Sequence, residues 1–376
     1  MHNLEKYEMS ISLNVLNHLG LNLYSNTPAV LSEVIANSWD ADATEVKIDI
    51  DIGKNIITIS DNGDGMDIDD INKKFLLVGY RKREIGATTT PKGRKPMGRK
   101  GIGKLSLFSI ADKIYVYSKK NEIKEAFLMD ADEIRKIIKE DEKEGKAFGK
   151  YNPEPKQFDN SIIGESGTVI KISGLKKNLT RATVNGLRKR IARRFGIIRK
   201  GIDFKIFLNS QEIIFLDRDY FYKARFLFQY GGYDYSSHCE KLDIDKDTKE
   251  KMCYSRECKF DEEGNISETG VYEISGWVAI ARHSNDLDEK NDGQDDNLNN
   301  VSIVVREKVA QEDILHEYRL GGMITKYIFG EIYANFLDDD NLEDIATSGR
   351  QKIIENDPRY IALKVIYRKR IKVYME

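Results

Sequence analysis

Val46, Ile48, Ile50 and Ile52 alternate with charged or polar residues, pause at Gly53-Lys54-Asn55, and resume from Ile56 to Ile59 before Asp61. A period of two interrupted by turn formers predicts a β-hairpin with one buried face. Upstream, Pro28 opens a run in which Ala29, Val30, Val34 and Ile35 fall at helical spacing, which predicts the first long helix. Leu105 to Ala111 reads as a helix, and Lys113 to Ser118 and Gly167 to Ile172 as strands, so the first half is a mixed α/β layer. Between these elements, Tyr80 to Lys100 is rich in Arg, Lys, Thr, Gly and Pro with almost nothing to bury, and predicts a long mobile loop.

Past Gly174 the text changes to a basic helical run, Leu187 to Arg199, then to β-rich stretches at Phe204 to Leu208 and Tyr272 to Ala281. The change predicts a domain boundary near residue 175. The Asp- and Asn-dense stretch Ser284 to Asn300 reads as an exposed loop joining two strands. Length agrees with two domains, since 376 residues at 40% hydrophobic can fill two ordinary cores. With 60 basic and 62 acidic residues the net charge is −2, so binding to nucleic acid or membrane must be local. No signal-type segment or bilayer-length apolar run is present, and the three cysteines, Cys239, Cys253 and Cys258, are too few for a disulfide framework. These features point to a soluble cytoplasmic protein. With His238 the cysteines could supply four zinc ligands, but the spacing is unusual for a structural site and free thiols are the better reading.

Three short patterns carry candidate chemistry. Glu33 and Asn37 lie four apart on the predicted helix, hence on one face. A carboxylate there can take a proton from water attacking a phosphoryl group, and a neutral amide oxygen can hold Mg2+. Asp61 ends an apolar strand and precedes Asn62-Gly63-Asp64-Gly65-Met66, where glycine lets backbone approach a flat ligand and the carboxylate could accept a hydrogen bond from its exocyclic amine. Gly98-Arg99-Lys100-Gly101-Ile102-Gly103-Lys104-Leu105 is a near miss to a P-loop, with Leu where Ser or Thr should bind the metal and no buried strand before it. Its glycines instead suit a loop entering a helix whose free amides can face phosphates, with Lys100 and Lys104 adding charge.

In this order and spacing the patterns resemble the GHKL ATPase superfamily of gyrase-type topoisomerases, the ninety-kilodalton chaperone, histidine kinases, MutL and MORC proteins. The resemblance covers residues 30 to 172 and implies an α/β Bergerat-type ATP-binding domain, residues 1–175, with a lid near 76–103. It implies an S5-like β-α-β transducer domain over 176–376. By resemblance Glu33 is the general base, Asn37 the Mg2+ ligand and Asp40 a neighbour facing the nucleotide. Asp61 reads adenine beside Gly63, Gly65 and Met66. Gly98, Lys100, Gly101, Ile102, Gly103 and Lys104 surround the phosphates, and Thr168 supports the base through water. Arg350, after the acidic run Asp338 to Asp340 and the turn Thr347-Ser348-Gly349, resembles the arginine that a second domain extends to the γ-phosphate, with Lys352 and Lys326 as fallbacks.

Glu33 favours hydrolysis over phosphotransfer, and the glycine pattern is closer to the chaperone, MORC and topoisomerase VI forms than to MutL. ATP and Mg2+ are therefore expected, together with an ATP-dependent homodimer closed through residues 1 to about 25. The process is expected to be a MORC- or topoisomerase-like clamp on double-stranded DNA in genome maintenance or anti-phage defence, with the basic helix 187–200 on the phosphates. A chaperone, or a nucleotide-gated switch for a partner effector protein, are the other readings. The end at Tyr374-Met375-Glu376 after a helical run suggests that an effector or dimerisation region is missing.

Overall fold

The computed structural model describes residues 27–78, 80, 88–98, 101, 103–144, 150–161, 164–199, 203–240, 242, 258–291, 294–315, 323–342, 344–345 and 353–375. Residues 1–26, Lys100, Ile102, Cys253, Arg350 and Lys352 lie outside them, and with them the proposed dimer segment and γ-phosphate arginine. The chain divides into two units. The first is residues 1–181 with 203–212 and the second 182–202 with 213–376, so the first unit takes back a short later segment.

In the first unit, α1 (Thr27–Asp40) is followed by β1 (Glu45–Asp51) and β2 (Ile56–Asp61), the antiparallel hairpin predicted by the alternation. Val46, Ile48 and Ile50 face the core while Lys47 and Asp49 face solvent. Asn55 turns the hairpin at φ 53°, a conformation asparagine tolerates better than most residues. A 3₁₀ turn, Gly103–Ser106, runs into the short helix α2 (Leu107–Ile110). Next come β3 (Ala111–Lys120), β4 (Ile123–Asp130), α3 (Ala131–Glu144), β5 (Glu154–Pro155) and β6 (Gly167–Leu175). After α4 (Arg181–Arg194), β7 (Lys205–Leu208) and β8 (Gln211–Glu212) return to the same sheet. Its order is β5-β4-β3-β6-β2-β1-β7-β8, with β7 parallel to β1. The Phe204 to Leu208 stretch, whose sequence follows the composition shift, therefore completes the first sheet instead of opening the second.

Residues 88–98 form a loop of turns and bends, as expected, but one that is fastened and partly buried. Met97 is 1% exposed and Thr90 is buried. Asp42 accepts from Thr90 Oγ1 at 2.5 Å and Lys92 N at 3.0 Å, Trp39 Nε1 donates to Lys95 O at 3.0 Å, and the Arg94 guanidinium lies 4.3 Å from the Trp39 ring centroid. The charged and polar side chains that argued for mobility are the ones that fasten the segment to the end of α1.

The second unit holds a five-stranded sheet of β9 (Ala224–Tyr230), β12 (Ser275–Ala281), β15 (Val301–Val305), β16 (Lys308–Gln311) and β17 (Ile328–Tyr333), ordered β16-β15-β17-β12-β9. Only β15 and β17 pair in parallel among these strands. Small hairpins β10 (Lys259–Phe260) with β11 (Tyr272–Glu273), and β13 (Asp288–Asn291) with β14 (Gln294–Asn297), stand apart. The latter lies in the supposed Ser284 to Asn300 loop, and its flanks Leu287 and Leu298 are buried, so this polar stretch is an anchored hairpin. The helix α5 (Pro358–Met375) packs Tyr360, Leu363, Ile366 and Tyr367 into the core. Cys258 is buried with its Sγ accepting from Gly231 N at 2.9 Å, and burial pushes the Cys239 thiol up to about 12. Among the described residues no three His, Cys, Asp or Glu side chains gather as a metal site, and no helix is long and apolar enough to cross a membrane.

Candidate active site

Helix α1 is buried along nearly its whole length, and Asn37 is its one exposed residue. An amide held in solvent on a helix otherwise committed to the core is available to a ligand. Glu33, one turn earlier and 8% exposed, faces the glycine segment: a Cβ built on Gly103 would lie 2.8 Å from Glu33 Oε2. A side chain at 103 would therefore displace the carboxylate. Asp40, one turn beyond Asn37, accepts from Met97 N at 2.7 Å and Gly98 N at 3.0 Å. Three acidic or amide side chains on successive turns thus meet the two ends of the glycine segment.

Asp61 sits at the end of β2 with both oxygens engaged. Oδ1 accepts from Gly63 N at 3.0 Å and Thr168 N at 3.2 Å, and Oδ2 accepts from Ser38 Oγ at 2.8 Å. Burial raises its carboxyl above the usual carboxylate range, against the pull of these three donors. The register explains the grouping: Asp61 opposes Thr168 on β6, and Thr168 opposes Ser118 on β3. Ser118 Oγ accepts from Met66 N at 2.8 Å and lies 3.3 Å from Thr168 Oγ1. Asp61, Thr168, Ser118 and Met66 therefore form one polar row across three strands.

The turn after Asp61 is shaped by its glycines. Gly65 has φ +69°, and a Cβ there would come 2.0 Å from Lys119 O. Gly63 is buried, and Asn62 is turned the other way, its Oδ1 accepting from Thr44 N and Glu45 N at 2.8 Å each. Gly101 has φ +61° with Tyr80 O 2.3 Å from its would-be Cβ, so both positions exclude side chains by conformation and by space. Lys104, by contrast, turns toward the helical segment Ile68–Phe75 and the residues just after it. Its Nζ donates to Lys74 O at 3.0 Å and Leu77 O at 2.6 Å, and burial pushes the ammonium down to about 8. Lys120 holds the start of the same segment through Asp67 at 2.8 Å and Asp70 at 2.5 Å.

Sequence reasoning does not single out two members of this site, Ser38 and Ser118. Ser38 directly succeeds Asn37 on a predicted helix, so a carboxylate partner for it is within reach of such reasoning. Ser118 depends on the β3–β6 register, which no local spacing reveals. The donor set suits a nucleotide with a hard cation: Asn37 and Glu33 offer oxygens, Asp61 offers a fixed acceptor for an amine, and Gly101 and Gly103 carry no side chains of their own. Among these, Asn37 would hold Mg2+, whose charge would offset that of the phosphates.

Residues 24–168 match the sequence pattern of the family described as "Histidine kinase-, DNA gyrase B-, and HSP90-like ATPase". The chain is 37% identical over 359 residues, 95% of its length, to "Putative type II restriction enzyme HgiDII" of Herpetosiphon aurantiacus, and spans 54% of that protein. It is 30% identical over 139 residues to "Chaperone protein HtpG" of Francisella tularensis subsp. novicida and 32% identical over 132 residues to that of Campylobacter jejuni. These matches cover 31% and 29% of this chain and 22% of each chaperone. The chain thus spans about half the length of one relative and about a fifth of the others. Residues 24–168, within the first unit, are thus similar to the histidine kinase-, DNA gyrase B- and HSP90-like ATPases.

Proposed function

We propose that this chain is a Mg2+-dependent ATPase that couples nucleotide turnover to action on DNA. The observation that carries the enzymatic half is the position of Glu33. It is a nearly buried carboxylate one helical turn from the exposed Asn37 amide and against the glycine segment. Glu33 takes the proton of the attacking water, Asn37 holds the cation, Asp61 reads the adenine amine, and the backbone near Gly101 and Gly103 faces the phosphates. Arg350, outside the described residues, is the proposed cation on the γ-phosphate.

The DNA half is supported by extent of similarity. The relative described as a restriction enzyme matches across both units, whereas the chaperones match less than a third of the chain. A chaperone reading therefore draws on less than a third of the chain. In this reading ATP closes a homodimer around DNA, and an effector activity is supplied by another region or partner.

The basic helix is not favoured as the DNA face. Arg188 pairs with Asp217 at 3.1 Å, Lys189 with Asp219 and Arg194 with Glu312, and Arg193 Nε donates to Arg218 O at 2.7 Å. The charges of Arg188, Lys189 and Arg194 are thus offset within the helix's own unit. The test is ATPase rate and oligomeric state with and without double-stranded DNA at low and high salt. Stimulation that fades with salt supports the reading; a rate indifferent to DNA overturns its DNA half, and no turnover overturns the whole.

A further inference from the structure

We infer that Asp40 is a positioning residue that fixes the entrance of the glycine segment, and that Gly98 is its anchor point, so neither contributes a group directly to the nucleotide. The observations lie in one place. Asp40 is 7% exposed, and each of its oxygens takes a different backbone amide, Met97 N at 2.7 Å and Gly98 N at 3.0 Å. The Gly98 amide is therefore directed at a carboxylate, not at a phosphate. Glycine is needed at 98 for a separate reason: a Cβ there would lie 2.8 Å from Asp40 Oδ2 and 3.9 Å from Asn37 Oδ1. The chain passes this close to α1 only because nothing projects from it.

The anchor is reinforced from behind. Asp42 and Trp39, on either side of Asp40, hold Thr90, Lys92 and Lys95, and the Arg94 guanidinium stacks on Trp39 and donates to Ala43 O. Residues 88–98 are consequently part of the same body as α1. Asn37, which projects from that helix beside Gly98, keeps a constant relation to residues up to 98. Asp40 acts on nucleotide binding by fixing where the glycine segment starts beside α1.

Asp40→Asn tests this in the full chain. The amide keeps the shape, but its NH2 must point at one of two backbone N–H donors, losing a charge-assisted bond and adding a clash of donors. Amide hydrogen exchange at Met97 and Gly98 in nucleotide-free protein should rise at least about ten-fold, and KM for ATP should rise about ten-fold with kcat changed far less. Gly98→Ala, approaching the same contact from the other side, should raise exchange likewise and covers the case in which Asp40→Asn does not fold. Asn37→Ala, a change at the proposed metal ligand, should impair turnover while leaving exchange at Met97 and Gly98 unchanged. If Asp40→Asn weakens ATP binding with exchange at both amides unaltered, Asp40 touches the nucleotide itself and the inference falls. The exchange arm needs no nucleotide, so it decides the anchor even if the wild-type chain proves not to hydrolyse ATP.

Discussion

Glu33 and Asn37 share one helix face but not one environment: the carboxylate is 8% exposed and the amide is open to solvent. That asymmetry suits a base that must be kept from bulk water and a ligand that must receive a hydrated cation. Glu33→Ala is expected to leave ATP affinity within about two-fold and to reduce turnover by about 10²-fold or more, the usual worth of a positioned general base. Equilibrium binding beside steady-state rates checks it, and persistent turnover would move the base elsewhere. Lys104 yields a pH prediction. The unfolded chain titrates this lysine near 10.5 while burial brings it to about 8 in the fold. Between those values the unfolded state holds a proton that the folded state has released, so stability attributable to Lys104 rises with pH. Relative to Lys104→Met, the wild type should gain on the order of 2–3 kcal/mol from pH 7.5 to 10.5, because each ten-fold difference in proton affinity between the two states is worth about 1.4 kcal/mol. Denaturant unfolding of both proteins across that range reads the difference.

At the scale of elements, what is legible in the sequence is what period and turn chemistry control. The β1–β2 hairpin, α1 and the strand ending in Asp61 come from alternation and helical spacing, and Glu33, Asn37 and Asp61 are readable because each sits at a fixed offset within one element. The fastening of residues 88–98 is not legible, because Asp42, Trp39 and Arg94 act over about fifty residues and their polarity is the signature of a loop. Nor is the return of β7 to the first sheet, since a strand of four residues carries no mark of which sheet it joins. The polar clamp has a measurable worth. Asp42 is 2% exposed, has φ 57°, and satisfies Thr90 Oγ1 and Lys92 N. Asp42→Ala should cost about 2–4 kcal/mol through orphaned donors and an unfavourable left-handed alanine. Asp42→Asn, which tolerates that backbone and keeps an acceptor, should cost less. A denaturant midpoint series separates the two, and equal losses would show that the hydrogen bonds contribute little.

For the molecule as a whole, the second unit decides whether the basic helix is a binding face or part of a scaffold. Arg218 is fully buried, donates to Ala192 O at 3.1 Å and Phe195 O at 2.9 Å at the end of α4, and pairs with Glu331, which also accepts from Tyr333 at 2.9 Å. Its partner holds the charge in place: Glu331→Gln should destabilise this unit, by about 3–5 kcal/mol if the guanidinium is left uncompensated. Arg188, Lys189 and Arg194 on α4 are then half of an internal charge pattern whose other half is Asp217, Asp219 and Glu312. Removing them should act on stability before it acts on DNA. Arg188→Ala with Lys189→Ala is expected to lower the melting temperature while changing DNA-stimulated ATPase less than about two-fold and leaving its salt slope intact. If that slope falls by about two, the loss expected when two phosphate contacts disappear, the helix lies on the nucleic acid after all and its acidic partners are displaced on binding.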